Sequence, residues 1–383
     1  MRPEPRQQES VKPLELFFDL VFVLGFTQCT ALMAANPTWT GIGQAMIALA
    51  VLWWAWVGYA WLTSVIDPEE GTIRLAMFGA MAALLVVGLC VPEAFGDRAV
   101  AFAVAYAVVR VGHVLLYLLA SREDADLRRS VLGLALSSTL AVGLLLVGAF
   151  LDGGWQAAVW LLAIAVDALE PAVMGMDGWT LVPAHFAERH NLVIILALGE
   201  SIVALGVASE NDLTAGVIVA AVLGIGLAAA LWWTYFDVVA LVTERRLTQA
   251  APGRPRNVLA RDSYTYLHFP MVAGIILVAL GLEVTLSHLD EHLHVEAAFA
   301  LLGGTAMYLL AHVAMRLRNA HTYNVQRLVL AGVLLVSVPL ATVVPALAAV
   351  GGVNVLLWSM IAYETSSYGE GRYRLRHGLE PEG

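Results

Sequence analysis

Charged side chains are scarce in this chain. Asp, Glu, Lys and Arg make up 14% of its 383 residues, whereas soluble globular domains carry about 25%. Hydrophobic residues make up 60%, against about 45–50% in soluble domains. This balance argues against an ordinary soluble protein. It predicts an all-α polytopic membrane protein, with membrane lipids as its constant partners.

Cysteines and basic surfaces are also scarce. Cys29 and Cys90 are the only cysteines, and both fall in apolar segments, so we expect small buried side chains without a disulfide or ligand role. The net charge is −10, and no basic stripe lies outside the short loops, which argues against a nucleic-acid partner. The polar start at 1–13 leads straight into a full-length apolar segment, so no cleavable signal peptide is visible.

Breaks in hydropathy at glycines, prolines and charge clusters predict twelve membrane-spanning helices. The predicted spans are 14–35, 39–63, 73–92, 99–120, 129–151, 155–176, 183–208, 214–242, 264–287, 295–316, 326–345 and 347–365. Nineteen of the 21 basic residues fall in the two tails, in alternate loops or at the ends of the spans that border those loops, and the two exceptions are Arg98 and Arg110. Because Lys and Arg concentrate on the cytosolic side, we expect a multi-pass plasma-membrane protein with both termini in the cytoplasm.

The second half of the chain repeats features of the first. Each half supplies an acid or amide before a Leu-Val pair, an aromatic cluster in its second span and a histidine in its fourth. The matching features are Asp19 and Asn191, Gln28 and Glu200, the clusters 53–59 and 232–237, Glu93 and Glu283, His113 and His312, and Asp167 and Glu364. The pattern predicts two six-helix repeats, 1–181 and 182–383, that share one orientation about an axis along the membrane normal.

Two blocks of sequence carry a family resemblance. They are Glu-Leu-Phe-Phe-Asp-Leu-Val-Phe-Val at 15–23 and Glu-Arg-His-Asn-Leu-Val-Ile-Ile-Leu-Ala-Leu-Gly-Glu-Ser at 188–201. Further matches are Trp-Trp-Thr-Tyr-Phe-Asp at 232–237 and His-Phe-Pro-Met-Val-Ala-Gly-Ile at 268–275. With these motifs the chain resembles the bacterial low temperature requirement protein A family. The resemblance implies an integral membrane protein associated by name with growth in the cold, in which Glu15, Asp19, Glu188 and Glu200 matter.

The first predicted span carries Glu15 and Asp19 on one face, because residues four apart lie one turn from each other. Glu15 is expected at headgroup depth and Asp19 about 8 Å inside. Asp19 could pair with Arg110 or Arg189 and fix the helix register; without a partner, it would take up and release protons near neutral pH. In the seventh span, His185, Arg189 and Glu200 fall within about 60° of one another on the helical wheel, with Glu188 beside them.

Polar side chains within the predicted spans define a candidate path for an ion or a small solute: Glu15, Asp19, Gln28, His113, His185, Glu188, Arg189, Glu200, Asp237, Glu283, His312 and Glu364. Buried carboxylates and histidines can relay protons, coordinate a metal or hold one another. No helical zinc motif is present, and the acidic loop at 288–296 is better explained as solvated than as a cation site. We therefore predict no metal, no cofactor and no catalytic residues.

Three functions remain open at this stage. The first is a transporter or channel for protons, ions or a small solute, with a path along the interface of the two halves. The second is an intramembrane enzyme that acts on a lipid or hydrophobic metabolite through histidine and carboxylate chemistry. The third is a membrane sensor or scaffold for cold adaptation, which would use the Arg-rich loop 244–261 as its cytosolic contact surface.

Overall fold

The computed structural model describes residues 10–208 and 214–377. Arg2 and Arg6 lie outside the described residues, as do the side chains of Arg372, Arg374 and Arg376. Within the described ranges the chain is all-α and contains no β-strand, only an isolated bridge between His292 and Pro345. The helices are α1 (Pro13–Ala35), α2 (Trp39–Thr63), α3 (Gly71–Cys90), α4 (Ala99–Ala120), α5 (Ala125–Gly148), α6 (Gly153–Val173), α7 (Pro183–Ala208), α8 (Ala215–Phe236), α9 (Val239–Gln249), α10 (Arg254–Ala260), α11 (His268–Ser287), α12 (Val295–Ala298), α13 (Gly304–Ala320), α14 (Val325–Val336), α15 (Val338–Ala341) and α16 (Ala346–His377).

Eleven helical segments in the described part of the chain are long and apolar enough to cross a membrane. Three of them join neighbouring helices: Ala215–Gln249 combines α8 and α9, Arg254–Ser287 combines α10 and α11, and Val295–Ala320 combines α12 and α13. A helix pairs its backbone N–H and C=O groups internally, which hydrocarbon requires. The chain is therefore a multi-pass helical membrane protein.

The predicted span 326–345 is not one continuous helix, and this expectation was wrong. The chain forms α14 up to Val336 and then the four-residue α15. Pro339 lies in the first turn of α15, where its missing N–H costs nothing and its fixed φ suits a helix start. The structure thus has eleven long apolar segments in its described part and, in place of the twelfth, this interrupted pair.

The region 243–263, expected to be a loop, is mostly helical. It contains the end of α9 and all of α10. Leu247 of α9 and Ala260 of α10 are fully buried. Arg256 donates from its guanidinium to the backbone carbonyl of Ala250, 2.9 Å away, just beyond the end of α9. Arginines interleaved with buried apolar residues therefore produce short amphipathic helices here.

The described residues form two compact units. The first contains 10–36, 40–190 and 247–261, and the second contains 37–39, 191–208, 214–246 and 262–377. The boundary falls within α7, after His190, so the first two turns of this helix belong to the first unit.

In the first unit, α1 packs on α3, and α3, α4, α5 and α6 follow one another as neighbours. The side chains of Phe18, Phe22 and Phe26 put one face of α1 into this core. Helix α2 is the most enclosed span, with Trp56 and Tyr59 almost fully buried. A helix buried on all sides can carry polar contacts away from lipid.

In the second unit, α11 and α13 pack closely enough for their backbones to touch. A Cβ atom added to Gly274 would lie 2.6 Å from the carbonyl oxygen of Gly304, and one added to Gly304 would lie 2.8 Å from that of Gly274. Glycine is required at both positions because any side chain would force the helices apart. This contact fixes the position of α13, and with it the polar residues of α13, against α11.

Candidate functional site

The first two turns of α1 and α7 bring polar side chains together at matching depths. Both helices begin with a proline, Glu15 and His185 are the third residues, and Asp19 and Arg189 are the seventh. Glu15 contacts His185 and Asp19 contacts Arg189, so the two helices run parallel and in register over this stretch. The second pair lies about 6 Å deeper than the first, at ~1.5 Å per residue. We call these four residues the ionic cluster.

Arg189 joins the two carboxylates of the ionic cluster. Its Nη1 donates to Oε1 of Glu15 at 3.0 Å, and its Nη2 donates to Oδ1 of Asp19 at 2.6 Å. Its Nη1 also lies 3.4 Å from the hydroxyl of Thr63, and the guanidinium lies 5.7 Å from the ring centre of Trp56. The side chains of all four cluster residues are fully buried. A single permanent cation is therefore shared by two buried acids.

Glu15 connects the ionic cluster to the start of α1. Its Oε2 accepts the backbone N–H of Lys12 at 2.9 Å, which satisfies a donor at the helix N-terminus. Its Oε1 lies 2.9 Å from Nε2 of His185, in addition to its contact with Arg189. The carboxylate is thus held from three directions, by groups that all favour negative charge on it.

His185 is hydrogen-bonded at both ring nitrogens. Its Nε2 contacts Glu15, and its Nδ1 lies 3.1 Å from the hydroxyl oxygen of Ser64. The same hydroxyl lies 3.2 Å from the carbonyl oxygen of Ala60. Since a serine hydroxyl has one proton and two lone pairs, it can donate to only one of these two partners at a time.

The Ser64 hydroxyl therefore accommodates two protonation states of His185. When it donates to Nδ1, the ring carries one proton, on Nε2, and donates it to Glu15. When it donates to Ala60 instead, Nδ1 can carry a second proton and donate it to the serine oxygen. Both states keep every nitrogen hydrogen-bonded, which a buried ring requires.

The charge of the ionic cluster differs between these states. Glu15, Asp19 and Arg189 together carry −1 when ionised. A neutral His185 leaves this charge in place, and a doubly protonated His185 cancels it. A net charge in a buried, low-dielectric environment is costly, and a second proton on His185 would cancel the −1 that these four side chains carry between them.

Asp19 is not left without a partner, and of the two arginines predicted for it the structure provides Arg189. Its Oδ1 also accepts the indole N–H of Trp56 at 2.8 Å. Its second oxygen, Oδ2, has no hydrogen-bond partner among the described residues. Arg110, the alternative partner, is bound elsewhere.

Arg110 forms a second buried ion pair, in which its Nη2 lies 2.7 Å from Oδ2 of Asp167 on α6. Ser137 of α5 donates to the same carboxylate at 3.1 Å, and Nη1 of Arg110 lies 3.5 Å from Nδ1 of His113. Glu170, three residues further along α6, is a second buried acid on this helix. The Arg110–Asp167 pair ties α4, α5 and α6 together.

A third ion pair lies in the second unit. Arg327 of α14 binds Glu364 of α16 through two parallel bonds of 3.1 and 3.0 Å. Its Nη1 donates to Nδ1 of His312 at 2.9 Å and to the carbonyl oxygen of Thr234 at 3.0 Å. Arg327 thus connects the predicted residues His312 and Glu364. In the sequence analysis this arginine counted only among the basic residues that indicate the orientation of the chain in the membrane.

The remaining predicted residues lie elsewhere. Glu188 is exposed and accepts the backbone N–H of Val11 at 2.9 Å. Glu200 is buried, but eleven residues place it about 16 Å beyond Arg189 along α7. Gln28 and Glu283 are half-buried, and Asp237 is buried at the end of α8.

Metal binding has little geometric support in the described part of the chain. No group of three His, Cys, Asp or Glu side chains there is arranged so that it could hold a metal ion. Most side chains of the 288–296 loop are exposed. Cys29 and Cys90 are buried free thiols.

Sequence reasoning missed three contributors to the ionic cluster. Trp56 entered the sequence analysis only as part of the aromatic cluster 53–59, whereas its N–H binds Asp19. Thr63 and Ser64 at the end of α2 gave no signal, because a hydroxyl residue at a helix end is common. The only available hint was their position directly after the aromatic run of 53–61.

Comparison with known proteins matches residues 10–362 to the model of the bacterial low temperature requirement A protein (LtrA) family. An uncharacterized protein of Rhizobium meliloti (strain 1021) is 28% identical over 336 residues, covering 82% of this chain and 79% of that protein. No solved structure matches the chain. The match spans the ionic cluster and nearly all the described helices, and the chain belongs to the bacterial low temperature requirement A protein family.

Proposed function

We propose that this protein moves protons across the membrane, alone or coupled to a solute, and that the ionic cluster is its proton-exchanging group. The observation that carries the proposal is the hydrogen bonding of His185. Glu15 suits a protonated ring, and the hydroxyl of Ser64 can act as donor or acceptor. The site can therefore gain or lose one proton while both ring nitrogens of His185 keep a hydrogen bond.

The stoichiometry of the ionic cluster argues against a purely structural role. Arg110 forms a direct ion pair with one acid, Asp167, whereas Arg189 forms ion pairs with both Glu15 and Asp19. A second buried acid beside Arg189 adds negative charge, which proton uptake can cancel. Ionisable residues inside membrane proteins commonly mark proton or ion pathways.

The exchange step balances in protons and charge. A proton from water binds Nδ1 of His185, the hydroxyl of Ser64 rotates from Nδ1 to the carbonyl of Ala60, and the cluster becomes neutral. Release reverses the two movements. Neither direction requires a change in the Arg189 contacts, so the helices can stay in place while the proton passes.

We further propose that the chain is built from two six-helix repeats, about 1–181 and 182–383. Equivalent hydrogen bonds support this. Trp56 of α2 donates to Oδ1 of Asp19 at 2.8 Å, and Tyr235 of α8 donates to Oδ1 of Asn191 at 2.9 Å. The donors align within the two aromatic clusters, and the acceptors align before the two Leu-Val pairs.

The placement of the protein in the plasma membrane with both termini in the cytoplasm is also a proposal. It is supported by the basic residues of the tails and alternate loops. The parallel starts of α1 and α7, with six helices from one start to the next, agree with an even number of crossings per repeat. Cysteine labelling of intact cells at each terminus would test it.

Proton flux in proteoliposomes tests the functional proposal. The purified protein is reconstituted with a pH-sensitive dye inside the vesicles, and a potassium diffusion potential drives proton entry. We expect flux above that of empty vesicles, and we expect Glu15→Gln and His185→Gln to abolish it. Ser64→Ala should reduce it while leaving the Glu15 and Arg189 contacts intact.

The matched control is Asp167→Asn, which weakens the other buried ion pair of the first unit. It should lower stability yet retain flux per folded molecule. Absence of flux in the wild type, or flux that survives in both Glu15→Gln and His185→Gln, would refute the proposal.

A further inference from the structure

The second unit contains a cavity of about 360 Å³ that the ionic cluster does not explain. Turns of α9, α13, α14 and α16 surround it, and we call it the α13–α14 cavity. Its apolar wall includes Val239, Val242 and Met315, and its polar wall includes His312, Arg316 and Arg327. Its volume lies within the range of small-molecule sites, roughly 300–1,000 Å³.

The neutral His312 ring forms part of the lining of this cavity. Arg327 donates to its Nδ1 at 2.9 Å, and arginine has no acceptor atom. Nδ1 must therefore be unprotonated, so the ring proton lies on Nε2. The His312 ring is buried, and its Nε2 has no hydrogen-bond partner among the described residues. The same nitrogen is closed off from groups the size of a water molecule, so His312 contributes a neutral ring surface to the cavity.

The charges of the lining favour an anion. Glu364 is engaged by Arg327 and by the amide of Asn324 at 3.0 Å. Arg316 is exposed and donates its Nε to Thr322 at 3.0 Å, which leaves its terminal nitrogens without a hydrogen bond to the described residues. With His312 neutral, the described lining carries two arginines against one carboxylate, and Arg316 supplies the guanidinium nitrogens that are not engaged by it.

We infer that the α13–α14 cavity binds a small amphipathic anion: a carboxylate or phosphate group that bears a short apolar chain. The head would accept hydrogen bonds from Arg316, and the chain would lie against Val239, Val242 and Met315. The inference does not rest on the proposed proton transport, because it uses residues of the second unit alone.

Thermal unfolding of the full chain in a nonionic detergent, followed by tryptophan fluorescence, tests this inference. The probes share one chain and differ in head: hexyl phosphate, hexanoate, hexanol and hexylamine. We expect stabilisation by the two anions and none by hexylamine. Arg316→Gln should weaken binding about tenfold or more, the loss expected for a charge-assisted hydrogen bond, whereas Arg128→Gln, an exposed arginine of α5, should leave it unchanged.

A second variant, Ala320→Trp, fills the cavity without changing its charge and should also abolish binding. A parallel measurement in nanodiscs with and without phosphatidylglycerol distinguishes the sources of the anion. Stabilisation by hexyl phosphate in lipid-free detergent identifies a soluble anion, and stabilisation by phosphatidylglycerol alone, lost in Arg316→Gln, identifies a lipid headgroup. No stabilisation by any anion, or equal stabilisation by hexylamine, would overturn the inference.

Discussion

Replacing Arg189 with glutamine should lower the free energy of unfolding, because the ionic cluster loses its permanent cation. The substitution removes the bond of 3.0 Å to Glu15 and the bond of 2.6 Å to Asp19, and both acids remain fully buried. Breaking a buried ion pair by removing one partner costs about 3–5 kcal/mol, because the remaining charge is uncompensated. His185 can still compensate Glu15 by taking a proton, so most of this cost should come from Asp19.

Asp19→Asn should then partly rescue Arg189→Gln. Alone, Asp19→Asn exchanges a charge-assisted hydrogen bond for a neutral one of similar shape, which costs roughly 1 kcal/mol. In the Arg189→Gln background it removes the uncompensated charge. The double variant should therefore be more stable than Arg189→Gln alone, although each substitution by itself is destabilising.

Equilibrium unfolding in mixed micelles of increasing dodecyl sulfate content measures this free energy of unfolding. The control is Asp167→Asn in the Arg189→Gln background. Asp167 binds Arg110 instead, so the two losses should add within about 0.5 kcal/mol. If the costs of Asp19→Asn and Arg189→Gln simply add, the two residues do not share one charge balance, and the reasoning is refuted.

Two further predictions concern the second unit. Gly274→Ala should cost about 1–3 kcal/mol, since the new Cβ would lie 2.6 Å from the backbone oxygen of Gly304; Gly79→Ala, where a Cβ meets no atom within 4 Å, should be neutral or stabilising in the same unfolding assay. Arg327→Lys should lower the free energy of unfolding by about 1.5–3 kcal/mol, because lysine cannot reproduce the two parallel bonds to Glu364; unchanged stability would contradict a structural role for this pair.

The fold was largely predictable because hydrocarbon imposes strict rules on sequence. A spanning helix needs about 20 apolar residues, and such runs are visible without any tertiary information. The two regions that were predicted wrongly depend on individual residues, whose effect is lost when hydropathy is averaged over a window of sequence. Pro339 interrupts the span predicted at 326–345. The predicted Arg-rich loop instead forms short helices, in which Leu247 and Ala260 are buried.

The candidate site was predictable only in part. The spacing of Glu15 and Asp19 marked one face of α1, and Arg189 was one of two arginines available to it. Choosing between Arg189 and Arg110 required the packing, because Asp167 on α6 already holds Arg110. Helix periodicity places residues on faces of one helix, but it does not say which neighbouring helix meets that face.

The contacts of Ser64 could not be predicted from helix periodicity. Its hydroxyl lies within hydrogen-bond distance of both His185 and Ala60, and the proposed proton exchange depends on that double contact. Nothing in the sequence distinguishes it from other serines at helix ends, since its role arises from a long-range contact between α7 and the end of α2.

The central claim is that the ionic cluster gains and releases a proton on His185. Infrared difference spectroscopy with ring-labelled histidine tests this claim most directly. Spectra are recorded between acidic and alkaline pH for the wild type and for His185→Gln. We expect an imidazolium signal that appears on acidification in the wild type and is missing from the variant, with a matching change in the carboxylate band assigned through Glu15→Gln. Identical histidine difference spectra in wild type and His185→Gln would contradict it.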